Sequence, residues 1–188
     1  MLTLEPKETV RTAPDFTSVL TIVDDTHIKM LQPAMIDFGA IGKGYLVDAL
    51  AGLIQSRGFS HLLVNAGGDI RYEHPTHEPF VVGLEDPRDA TKVIGTTALT
   101  SGGLCGSATN RRRWNKYNHY INPKTGLSPE HIRAVWVKAP HTAEADMLTS
   151  CLFFTDPETL AKKVPFEFCI VHDDMSAVYS NGFGAELF

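Results

Sequence analysis

Only three of the 188 residues are cysteine, Cys105, Cys151 and Cys169, and no two of them stand in a CxxC spacing. An odd, scattered set excludes a disulfide framework and a thiolate zinc site, and leaves packed or weakly exposed thiols. No stretch approaches the roughly 20 apolar residues that span a bilayer. The opening MLTLEPKETVRTAPDF also lacks the charged, apolar and small-residue order of a secretion signal. Together these absences lead to the expectation of a soluble, cytoplasmic protein. Positive charge is in deficit as well: 17 Lys and Arg against 22 Asp and Glu give a net charge of −5. That balance argues against nucleic acid as the main partner. Internal repeats and low-complexity linkers are missing, which excludes solenoids and tethered arrays.

What remains is 43% hydrophobic and 21% charged, the profile of one ordinary folded domain. The expected organisation is a polar N-terminal arm over residues 1–16 and a single domain over residues 17–188. TSVLTIV (17–23) reads as a strand, followed after Asp24 and Asp25 by a second extended piece ending near Ile36. Beyond Gly39, the spacing of Ile41, Tyr45, Ala49, Leu50, Leu53 and Ile54 predicts a helix with that apolar face, closed by Gly58 in a left-handed cap. HLLVN (61–65) reads as a short buried strand, with further strands at 79–84, 92–100 and 132–138. A Gly, Ser, Asn and Arg loop is expected between the last two. A helix follows from Thr142 to Phe154 and a shorter one over 156–164, and FEFCIVH and SAVYS close the chain as a hairpin across Asp173 and Asp174. The resulting class is mixed α+β, a largely antiparallel sheet with packed helices.

Four segments carry chemistry. In DFGAIGKGY (37–45), Gly39, Gly42 and Gly44 stand at a strand-to-helix junction, where helix-start amides and Lys43 suit a phosphate or pyrophosphate. Close helix-on-sheet packing explains the same glycines equally well. NAGGD (65–69) ends a strand, so Asn65, Gly67, Gly68 and Asp69 sit where ligand crevices form in α/β structures, or in a plain tight turn. Asp146 and Ser150, four apart on a helix, offer two oxygens to a hard cation such as Mg²⁺, which normally keeps waters and borrows substrate phosphates. The alternative is an acid favoured by the helix dipole beside a solvated serine. RRRWNKYNHYINPKTG (111–126) holds His119, whose imidazole suits a general base, although a loop histidine is often a bystander.

Taken in order, DFGAIGKGYLVDAL, LLVNAGGDIR, VGLEDP, TSG at 100–102, NHYINPKTG, EADMLTS and YSNGF resemble the ApbE family of FAD:protein FMN transferases over roughly residues 20–188. The resemblance implies the family's T-fold-related α+β architecture, FAD as substrate and a Mg²⁺ ion near its pyrophosphate. It also implies attachment of FMN by a phosphoester to a Thr or Ser of a target flavoprotein. By the same resemblance the metal ligands are Asp146, Ser150 and the carbonyl of Gly42, and His119 takes the acceptor's proton. Asp37, Gly39, Lys43, Gly44, Asn65, Gly67, Gly68, Asp69 and Thr125 shape the FAD site. Family members usually carry about a hundred further N-terminal residues, so a homodimer or a second chain is a candidate source of that part. The chain departs from the family pattern at Ala40, Asn118, Asn122 and Ser150, and GLC (103–105) replaces an acidic-aromatic pair. Two alternatives accompany the transferase reading: a noncatalytic FAD-binding member and an interaction domain that has lost the ligand.

Overall fold

Period-two alternation explains the middle of the molecule. In the strand Ile132–Ala139, Ala134 and Trp136 join one hydrophobic cluster and Val135 and Val137 another, and all four are buried. Such a strand carries a core on each face. The structure is a computed structural model that describes residues 13–115 and 117–188, so residues 1–12 of the expected arm lie outside the described residues.

In chain order the elements are α1 (Phe16–Val19), β1 (Leu20–Asp24), β2 (His27–Met30), α2 (Gly42–Ser56), β3 (Leu62–Asn65), β4 (Ile70–Glu73), β5 (Phe80–Asp86), β6 (Asp89–Leu99) and β7 (Ser101–Ala108). There follow β8 (Arg113–Trp114), β9 (Tyr117–Asn118), β10 (Ile132–Ala139), α3 (Thr142–Cys151), α4 (Pro157–Ala161), β11 (Glu167–His172), β12 (Ala177–Tyr179), a 3-10 turn at Asn181–Phe183 and β13 (Glu186–Leu187). The main sheet has the order β12-β11-β10-β7-β4-β3, and every neighbouring pair in it is antiparallel. One face packs on α3 through Cys105, Val135, Val137, Leu148, Leu152 and Ile170. The other, through Ile70, Tyr72, Leu104 and Trp136, packs on Leu84 and Leu99 of the three-stranded sheet β13-β6-β5 and on Phe183. The expected α+β class is the observed one.

Several local expectations change. Ser101–Ala108, expected as loop, is a central strand of the main sheet. Its small residues have steric reasons: a Cβ on Gly103 would lie 2.6 Å from Thr142 Cα, and one on Gly106 would lie 2.8 Å from the Trp136 ring. HLLVN forms β3 at the sheet edge, where only Leu62 is buried, rather than a fully buried strand. NAGGD is the turn of the β3–β4 hairpin, with Gly67 at φ 66° and Gly68 at φ 101°, so the parallel-sheet crevice rule does not apply to it. The first strand starts at Leu20 because Asp15 caps a helical turn ahead of it, accepting from the Thr17 amide at 2.9 Å. Its partner stops at Met30, short of Ile36.

Helix α2 has its expected span, and Gly58 follows it at φ 91°. It buries a different face, made of Gly44, Val47 and Ala51, while Tyr45, Leu46, Leu50 and Leu53 are exposed. The physical reason is distance. A Cβ on Gly44 would lie 2.5 Å from the Thr142 carbonyl oxygen and 2.8 Å from Ala143 Cα, so α2 and α3 meet closer than larger side chains permit. Gly44→Ala should therefore lose about 1–3 kcal/mol through overpacking. Gly52→Ala on the same helix, with nothing within 4 Å of the added Cβ, should gain up to about 1 kcal/mol from helix propensity. Urea unfolding of both variants checks this, and equal shifts would remove the close contact from the account.

Candidate active site

The close approach at Gly44 lets each helix cap the other. Neither α2 nor α3 has a side-chain cap from its own N-cap residue, Ile41 or His141. Asp48 of α2 accepts from the amides of Thr142 at 3.0 Å and Ala143 at 2.9 Å, filling donors that a helix start leaves open. Asp146 of α3 accepts from the Gly44 amide at 2.9 Å through Oδ2. Arg71 of β4 reaches Asp48 at 3.4 Å, the Pro140 carbonyl at 2.6 Å and Glu73 at 2.6 Å, so one guanidinium ties Asp48, Glu73 and the turn before α3 together.

Asp146 is left in different surroundings. Burial pushes its carboxyl up to about 6, with the charge of Asp69 acting in the same direction and the Gly44 amide and Lys43 opposing it. Lys43 Nζ stands 2.8 Å from Asp69 Oδ2. Asp69 is only 1% exposed, yet neither of its carboxylate oxygens has a hydrogen bond of good geometry, so charge alone holds that pair. Two buried carboxylates facing a single ammonium carry one negative charge in excess, a surplus that an additional cation would satisfy. Among the described residues no three His, Cys, Asp or Glu side chains converge as a ready-made metal cage. The donor set of Asp146 and Ser150 on one α3 face suits a hard ion that keeps other oxygens around it. Nearby Cys105 is buried, and desolvation with the Asp69 and Asp146 charges pushes its thiol up and makes it unreactive.

His119 follows β9, and its ring lies 4.1 Å from that of Tyr120, which in turn stacks at 4.1 Å on Phe153 just beyond α3. Burial pushes the Tyr120 hydroxyl up, opposed by Ser107 and Ser150 beside it, so this ring lies between His119 and the Asp146 end. Burial holds the His119 imidazole below its ordinary range, helped by the charge of Arg112 and opposed by a contact with the Arg112 main chain. Its Nδ1 is buried without a hydrogen bond. A neutral imidazole has a lone pair to offer, as a base requires.

The structure thus groups Lys43, Asp69, Asp146 and Ser150, with His119 one ring away. Other residues expected at the site have local partners. Asp37 accepts from the Gly39 amide at 2.5 Å, and Asn65 accepts from the Gly68 amide at 3.0 Å within its turn. Thr125 accepts from the Leu127 amide at 3.3 Å. Asn122 takes the Lys124 and Thr125 amides on its side-chain oxygen, work for which it needs no charge. Gly44, expected beside FAD, is committed to the contact with α3, because its Cα side is filled by Thr142 and its amide by Asp146. The Ile41 and Gly42 amides both donate to the Phe38 carbonyl. The helix start therefore offers an anion fewer free donors than the sequence implies. Gly42 is the first residue of α2, where a carbonyl points along the helix axis. Ser107, Tyr120, Thr149 and Asp48 were missed. Thr149, three residues after Asp146, and Tyr120, adjacent to His119, carried the only available signal, their place beside singled-out residues.

The family model described as ApbE family matches residues 3–167. The FAD:protein FMN transferase of Escherichia coli (strain K12) is 31% identical over 157 residues, covering 77% of this chain and 44% of that protein. That of Treponema pallidum (strain Nichols) is 28% identical over 146 residues, covering 67% and 40%. Among solved structures, the ApbE protein from Thermotoga maritima superposes with a TM-score of 0.78 at 25% identity, over 93% of this chain and 60% of that one. The flavin transferase ApbE from Vibrio cholerae gives 0.69 at 24%, over 88% and 57%. The chain spans less than half the length of these curated relatives. With residues 3–167 matched by one family and its fold superposing on that family's structures, the chain belongs to the ApbE family.

Proposed function

We propose that the chain is the catalytic part of a Mg²⁺-dependent FAD:protein FMN transferase. The observation that carries this reading is the grouping of a buried, electron-rich Asp146 with Lys43, Asp69 and Ser150, one aromatic ring away from a neutral His119. Phosphoryl transfer needs little covalent help from a protein beyond positioning and charge. Lys43, whose ammonium is paired with Asp69 at 2.8 Å and whose side chain is nearly half exposed, would offer the open side of that ammonium to a pyrophosphate oxygen. Asp146 and Ser150, with the main chain around Gly42, would hold Mg²⁺, which when bound supplies a positive charge against the phosphate oxygens.

In the reaction, the hydroxyl oxygen of an acceptor Thr or Ser forms a bond to the FMN phosphorus, and the bond from that phosphorus to the bridging oxygen breaks. His119 takes the hydroxyl proton, and AMP leaves with the bridging oxygen and its electron pair. Burial of His119 favours this direction, because a depressed imidazole is unprotonated before the acceptor arrives. The alternative of a noncatalytic FAD binder keeps Lys43 and Asp146 but has no use for the base.

Two experiments separate these roles. Asp146→Asn removes the only formal charge among the metal donors, and the Mg²⁺ concentration for half-maximal FAD cleavage should rise by at least about tenfold. Superimposable magnesium titrations for variant and parent would take Asp146 out of the site. His119→Ala should bind FAD within about twofold of the parent, by flavin fluorescence, while FMN transfer to a Thr-bearing acceptor falls on the order of 10²–10⁴. Mass spectrometry of the acceptor reads the added FMN. Unchanged transfer would make His119 a bystander, and a parent that holds FAD and Mg²⁺ but transfers nothing would favour the noncatalytic alternative.

A further inference from the structure

The segment that carries His119 is charged with one sign. From Lys92 to Pro129 the chain has six Lys and Arg and no Asp or Glu, in a molecule of net charge −5. Five of the six lie on and around the hairpin of β8 and β9. The root of that hairpin is tied down: Asn110 donates to the Pro87 carbonyl at 2.8 Å, and Arg111 pairs with Glu85 at 2.5 Å. Strand β9 is held through Asn118, whose amide donates to Ser128 Oγ at 2.9 Å. Arg112 and Arg113 are exposed, and among the described residues neither guanidinium has a hydrogen bond or an ion pair.

Register decides which of these two free arginines faces the base. Arg113 stands opposite Asn118 and Trp114 opposite Tyr117, so the same register one residue further sets Arg112 across from His119. Opposed residues of an antiparallel pair project to one face, and their neighbours in sequence to the other. Burial and the Arg112 charge together hold the His119 imidazole below its ordinary range, which agrees with that placement.

We propose that Arg112 is a substrate-binding residue of the transfer site, donating to a non-bridging oxygen of the FMN phosphate. The inference rests on the FAD reading given above. A base that deprotonates an acceptor hydroxyl stands next to the phosphorus which that hydroxyl attacks, so a guanidinium across from His119 is beside the same phosphate. Charge balance points the same way. The pyrophosphate of FAD adds two negative charges to those of Asp69 and Asp146, and Lys43 with a divalent cation returns only three positive ones. Arg112 supplies the fourth. As the bridging bond breaks, the phosphate oxygens are best met by donors already in place, and a planar guanidinium offers them a fork that an ammonium lacks.

The test reads binding and transfer separately on the full chain. In Arg112→Ala the FAD dissociation constant, measured by flavin fluorescence, should rise at least about tenfold, while that of riboflavin, which has no phosphate, stays near the parent's. FMN transfer to a Thr-bearing acceptor should fall on the order of 10²–10³. Arg112→Gln should show the same losses and serves if Arg112→Ala fails to fold. Arg113→Ala removes an equal charge from the other face of the hairpin and should leave both quantities at parent values. Parent-like FAD affinity in Arg112→Ala, an equal loss for riboflavin, or an equal loss in Arg113→Ala would overturn the inference, the last by reducing it to diffuse positive charge. A parent that binds riboflavin as tightly as FAD makes no use of the phosphates and overturns the FAD-cleaving reading itself, so the two failures are told apart.

Discussion

Everything near the site depends on the contact between α2 and α3 at Gly44. The glycine lets two helix starts come close enough for each to lend the other a carboxylate, Asp48 to the Thr142 and Ala143 amides and Asp146 to the Gly44 amide. The exchange is symmetric in form and asymmetric in partners. Asp48 pairs with Arg71, a guanidinium it shares with Glu73, whereas Asp146 has no ion-pair partner of its own among the described residues and is raised by burial with Asp69 nearby. The same packing rule therefore makes a structural end and a chemically active end.

The sheet transmits that asymmetry. β7 lies under α3 and carries Gly103 against Thr142 at one point and Ser107 against Thr149 at another. Its glycines set how near the helix lies, and its serine then meets a helix hydroxyl at hydrogen-bond range. On the opposite face Gly106 makes room for the Trp136 ring, so one short strand serves both cores. A substitution that thickened β7 would disturb the Ser107–Thr149 hydrogen bond without altering either residue.

How much of this was legible in the sequence followed from how local the cause was. β10 and the β11–β12 hairpin show their period directly, and α2 shows its start, its span and its Gly58 stop. Lys43, Asp69, Asp146, Ser150 and His119 stood out because each lies in a short motif whose chemistry is intrinsic to the residues. β7 did not, because GGLCGSA lacks any apolar period, and the reasons for its glycines are a helix some 40 residues away in sequence and an indole on another strand. The buried face of α2 was misread for the same reason. Larger side chains define the apolar stripe in sequence, but proximity to α3 selects the smaller ones. The pairing of Ser107 with Thr149 was unreadable, since only the packing of α3 on β7 brings the two hydroxyls together.

The outward face of α2 has a thermal consequence. Tyr45, Leu46, Leu50 and Leu53, with Ile22, Val23 and Ile28 of the β1–β2 ribbon, are at least 42% exposed in the folded chain. Unfolding therefore adds little new apolar hydration at these positions, and it is the newly hydrated apolar surface that gives unfolding its positive heat capacity, ordinarily about 12–15 cal/mol/K per residue. An isolated chain should fall below that range. Its stability curve is then broad and shallow, with enthalpy and entropy of unfolding that change slowly between cold and heat. Covering the same face would steepen the curve, and calorimetry would register the covering as a gain in heat capacity even where the melting midpoint scarcely moved.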